Sequence, residues 1–67
     1  MHPEARTSYQ EGLAHRDRGY HQAACLAFER ALKVAPEADD VRMVLAATLH
    51  QSGDPAAAAE QYGYLVA

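Results

Sequence analysis

Gly53-Asp54-Pro55-Ala56-Ala57-Ala58-Ala59-Glu60-Gln61-Tyr62 is the stretch that decides how this chain of 67 residues is read. Gly53 suits the left-handed residue just past a helix end. Asp54 suits the cap of a new helix, and Pro55 its first position, where a missing N–H is not needed. The four alanines that follow are strong helix formers. One helix therefore stops and another starts with almost nothing between them, and so short a connection makes the two neighbours antiparallel.

Sliding the chain against itself extends the reading. The shift that puts Gly19 on Gly53 also puts Ala23 on Ala57, Ala24 on Ala58, Phe28 on Tyr62, Leu32 on Val66 and Gly12 on Ala46. Few positions match, but they are the turn glycine, the small residues and the aromatic, which packing restricts most. Pro3 suits a helix start, and Pro36 cannot continue a helix that has run through Ala35. The punctuation predicts four helices, at roughly 4–18, 21–35, 38–52 and 55–66. In the second, Ala24, Phe28, Ala31 and Leu32 fall on one stripe; in the third, Val41, Leu45, Thr48 and Leu49 do. Glu29 and Lys33 are placed to pair at i,i+4 on the outside of the second helix.

Composition agrees. Fifteen alanines favour helix, and the scarcity of β-branched and aromatic residues leaves little material for a sheet. With 49% hydrophobic residues in periodic positions, the chain is not read as disordered. Six Lys and Arg against nine Asp and Glu give a net charge of −3, which offers no basic footprint for nucleic acid. The single cysteine, Cys25, excludes an internal disulfide. No apolar run is long enough to span a membrane, and no signal peptide is read at the N-terminus. The expected location is cytoplasmic. A core of this size supplies only ~3–5 kcal/mol, so regular packing or a partner has to help.

A pair of helices recurring at this shift, a period of about 34 residues, is the signature of a helical solenoid. The sequence resembles the tetratricopeptide repeat (TPR) family, through Gly12, Gly19, Ala24, Phe28, Ala31, Leu32 and Pro36 in a first repeat and Leu45, Ala46, Leu49, Gly53, Asp54, Ala58 and Tyr62 in a second. The resemblance covers residues 5–67. It implies an all-α fold: two antiparallel helix-turn-helix repeats (about 5–38 and 39–67, the second truncated) stacked as a short right-handed solenoid in a single domain, residues 1–67. Independently of it, small residues at Gly12, Ala24, Ala46 and Ala58 would let helices approach closely, with Phe28 and Tyr62 filling the space between hairpins.

The departures from the family pattern carry expectations of their own. Ser8 and Glu11 stand where the family has an aromatic and a leucine, so residues 4–18 are read as the start of an array. At the other end no polar capping helix follows the second repeat, although solenoids normally need one for solubility. The chain is therefore expected either to be part of a longer protein or to self-associate. Tyr62, Leu65 and Val66 form the expected self-association face, giving a weak homodimer through the last helix.

No catalytic residue, metal site or cofactor is read from the sequence. His2, His15, His21 and His50 form no HxxxH or HExxH pair, and zinc needs three or four converging ligands. His15 is expected to be half-buried inside the first hairpin. Cys25 is expected to be a buried core residue; His21 lies one turn away, but nucleophilic use would need a lowered thiol pKa and a cleft. Asp39 and Asp40 are expected to cap the third helix and to favour its dipole. No glycine-rich phosphate loop occurs.

The resemblance implies that the first helix of each repeat lines a concave peptide-binding groove. The matching residues are Arg6, Tyr9, Gln10, Leu13, Arg16, Asp17, Asp40, Met43, Val44, Ala47, His50 and Gln51, giving an apolar floor inside a charged rim. One use of the family is to grip an acidic chaperone tail with Lys and Asn; Tyr9, Leu13 and Val44 occupy those positions here and cannot hold a carboxylate. The expected function is a protein–protein interaction module, an adaptor or assembly scaffold for a peptide or protein segment, and no enzyme. The alternative is the N-terminal TPR segment of a longer enzyme or secretion component, positioning another domain.

Overall fold

The computed structural model describes residues 2–66, which form four helices and no strand: α1 Pro3–Asp17, α2 His21–Val34, α3 Asp39–Gln51 and α4 Pro55–Val66. Each boundary has a local cause. Pro3 takes the first position of α1, and the His2 Nδ1 accepts the Glu4 N–H at 3.2 Å. Ala35, held extended at φ −131° by the proline after it, ends α2. Asp54 caps α4 as the sequence predicts, its Oδ1 accepting the Ala57 N–H at 3.2 Å.

The turn after α1 and the turn after α3 share one pattern of backbone hydrogen bonds. After α1, Gly19 N–H donates to the Arg16 carbonyl at 2.9 Å and Tyr20 N–H to the His15 carbonyl at 2.9 Å. After α3, Gly53 N–H donates to the His50 carbonyl at 3.1 Å and Asp54 N–H to the Leu49 carbonyl at 3.0 Å. This is the same Schellman turn twice, each with its glycine left-handed, at φ 81° and 87°. The following helix starts alike both times, through Ala24 N–H to the Tyr20 carbonyl and Ala58 N–H to the Asp54 carbonyl.

Two sequence expectations are corrected. Asp39 and Asp40 do not cap α3; Ala38 is the N-cap, with no side-chain cap bond. The turn from Pro36 closes through Ala38 N–H to the Ala35 carbonyl, so the helix begins at Asp39 and both carboxylates already lie in its first turn, where only the dipole interaction remains. Glu29 and Lys33 do not form an ion pair; Arg30 reaches across to Glu11 on α1 at 4.0 Å instead. That exposed pair contributes little.

Helix α1 packs on α2, α2 on α3, and α3 on α4, in a slab of Cα atoms 31 × 29 × 13 Å. The core is one cluster of Ala5, Ala24, Cys25, Phe28, Ala31, Leu32, Ala35, Val41 and Leu45, so it joins the two hairpins. Phe28 is fully buried at its centre. Its ring lies on the bare backbone of Gly12 and 5.8 Å from the Tyr9 ring, tilted by 48°. Thr48, also fully buried, satisfies its hydroxyl by donating to the Val44 carbonyl at 2.8 Å. Tyr62, the counterpart of Phe28, is instead 45% exposed.

Candidate functional site

The side chains expected to line a groove come from α1 and α3. Helical spacing places Tyr9 over Leu13, and Met43 and Val44 beside Ala47. Tyr9, Leu13 and Val44 are half-buried and pack against the core from this side, while Met43 stands 57% exposed. Arg16 is half-buried, its guanidinium 3.8 Å from the carboxylate of Asp17 beside it. Arg6, Gln10, Asp17, Asp40, Ala47, His50 and Gln51 are exposed. On each of α1 and α3, apolar side chains thus stand among charged and polar neighbours.

Two recesses open elsewhere on the surface. One lies beside the two Schellman turns, between Tyr20, His21 and Cys25 on one side and Leu49, Gly53 and Asp54 on the other. Gln51 is the one expected groove residue that lines it. The other runs between α2, α3 and α4, over Leu32, Leu45, Arg42 and Tyr64.

Arg42 is a residue that sequence reasoning missed. Its Nη1 donates to Gln61 Oε1 at 2.9 Å and its Nη2 to the Pro36 carbonyl at 3.0 Å. The guanidinium also sits 4.7 Å over the Tyr64 ring, within cation–π range. One side chain thus ties α3 to the α2–α3 turn and to the end of α4. Gln61 lies 19 residues away in sequence, so no local pattern announces the pairing.

The chemistry of the remaining groups is quiet. Cys25 is a buried free thiol. Burial pushes its pKa up, and the nearby carboxylates of Glu29 and Asp54 push it further. A thiol whose pKa is raised is mostly protonated at neutral pH, and the protonated form is the poorer nucleophile. His15 is half-buried with its ring 6.4 Å from that of Tyr20, filling the Schellman turn. Among the described residues, no three His, Cys, Asp or Glu side chains converge on a metal position, and no helix is long and apolar enough to cross a membrane.

No protein-family model, curated protein or solved structure matches the chain.

Proposed function

We propose that the chain is a protein–protein interaction module, built as two TPR-type repeats in a short right-handed solenoid and working by binding, with no reaction of its own. The observation that carries the reading is the α1/α3 face: half-buried Tyr9, Leu13 and Val44 beside exposed Met43, edged by Arg6, Arg16, Asp17 and Asp40. Apolar side chains of a partner segment would cover the strip, and the edge charges would set its direction. Such a strip suits an amphipathic helix or an extended peptide with apolar anchors. Met43 can repack around different anchors, which suits an adaptor or assembly scaffold. The repeated Schellman turns support the repeat architecture, and the unpaired thiol suits the reducing cytoplasm.

Selection from a random peptide library tests the reading. Enriched peptides should carry apolar anchors, and Met43→Glu should weaken their binding by about 10–100-fold, the effect of burying an unpaired polar group. Helix content should not change, since Met43 contributes little to the core. No enrichment, or binding indifferent to Met43→Glu, would overturn the proposal.

A further inference from the structure

The two hairpins are held together by different chemistry. The shift that puts Gly19 on Gly53 also puts Ser8 on Arg42, Ala27 on Gln61 and Ala31 on Leu65. On α2, Ala27 and Ala31 are fully buried. On α4, Gln61 and Leu65 are only half-buried, and Ala58, near the start of the helix, is its one buried residue among those described. Burial therefore holds the first turns of α4. Over the second half of the helix, where the first hairpin has Ser8 and Ala27, the second has Arg42 and Gln61 joined by a hydrogen bond.

The Arg42 guanidinium grips that half at two points. Nη1 donates to Gln61 Oε1 at 2.9 Å, and the group lies 4.7 Å over the Tyr64 ring. Gln61 and Tyr64 are three residues apart, so both grips fall on one side of the helix. Nη2 donates to the Pro36 carbonyl at 3.0 Å, which anchors the same guanidinium in the α2–α3 turn. All three partners are uncharged, and no carboxylate forms an ion pair with Arg42 among the described residues. Gly63 lies between the two grip points and weakens the helix there. Gln61, Tyr64 and Arg42 line the recess between α2, α3 and α4 together with Leu32, Leu45 and Leu49. The grips face α3 and this recess, so they do not depend on what covers the outer side of α4.

We propose that Arg42 latches residues 61–66 of α4 to α3 and to the Pro36 turn, and that this half-helix opens and closes over the recess as one unit while the rest of the chain stays folded. Segments with few buried contacts open locally, at a lower free energy than the whole fold. Here the latch sets that free energy, because the two grips and the anchor share one planar group and are lost together. Opening turns Gln61 and Tyr64 away from the recess and widens access to its apolar lining. The device does not depend on binding at the α1/α3 face.

Amide hydrogen exchange of the whole chain, followed residue by residue by NMR, tests it. In the wild type, the amides of residues 61–65 should share one protection factor, below that of Phe28 and Ala31 in α2. Arg42→Ala should speed their exchange at least about tenfold more than that of Phe28 and Ala31. Arg42→Lys should do the same, because an ammonium cannot hold two acceptors and lie over a ring at once. Tyr64→Leu, at a side chain 60% exposed, leaves the core intact and should speed the same amides about 2–5-fold. Protection that declines residue by residue toward Val66 would be end fraying and overturns the single unit. Equal acceleration of every amide in the Arg42 variants, or full protection with lysine, overturns the latch. If Arg42→Ala does not fold, Tyr64→Leu decides alone, and no selective change in residues 61–65 then overturns the proposal.

Discussion

Replacing Gly12 by alanine separates packing from helix propensity, because the two effects have opposite signs. In an exposed helix interior, Gly→Ala gains up to ~1 kcal/mol. At Gly12, a Cβ would meet the Phe28 ring, coming within 2.6 Å of Cδ1 and 2.9 Å of Cζ and nearer still to Cε1. The ring has no free direction: it is fully buried, in a cluster with Val41 and Leu45, and it faces Tyr9. Overpacking of this kind costs ~1–3 kcal/mol. The net expectation for Gly12→Ala is a loss of about 0–2 kcal/mol once a full propensity gain is subtracted. Gly63→Ala is the internal control, because nothing lies within 4 Å of its Cβ position. It should gain up to ~1 kcal/mol. Urea denaturation followed by far-UV circular dichroism reads both; with a slope near ~1 kcal/mol/M, the midpoints should move apart by about 1–3 M, the overpacking cost alone, since the propensity gain is common to both. A Gly12→Ala chain as stable as Gly63→Ala would refute the close packing of α1 on α2 through Phe28. Adding Phe28→Leu to Gly12→Ala should recover part of the loss, a coupling that a double-mutant cycle measures.

Asp54→Ala removes the cap of α4 and should cost about 1 kcal/mol, read by the same denaturation; an unchanged midpoint would mean that the Ala57 N–H finds another acceptor. Cys25 should make the fold sensitive to alkali. Its folded pKa lies above the ordinary thiol value, so its contribution is complete below that value and is lost as pH rises past it toward the folded one. Thermal melts from pH 8 to pH 10 should fall more steeply for the wild type than for Cys25→Ala, and equal slopes would contradict the burial of the thiol. The same thiol should react with an aromatic disulfide reagent only when the chain unfolds.

The sequence carried the helix boundaries because their causes are local. Gly53, Asp54 and Pro55 each act through their own backbone or a close neighbour in the chain, and Gly19 repeats the first of these effects after α1. The stripes of α2 and α3 were legible for the same reason, since helical periodicity fixes a buried face before any partner is known. The cap of α3 was misread because the turn at Pro36 closes on Ala38, just before the carboxylates. Arg42 was invisible because its three partners meet only after α3 and α4 have packed. On the candidate binding face, the half-burial of Tyr9, Leu13 and Val44 follows from their helical register. The two recesses beside the turns and between α2 and α4 depend on how the hairpins pack together, which no single helix encodes.

The binding face is tested most directly by titrating the ¹⁵N-labelled chain with a library-selected peptide and following each backbone amide by NMR. The account predicts that shifts concentrate on α1 and α3, at Tyr9, Leu13, Met43, Val44 and Ala47, while the amides around Arg42 and Tyr64 stay in place. Shifts confined to the recess between α2 and α4, or to the turns at Gly19 and Gly53, would contradict it.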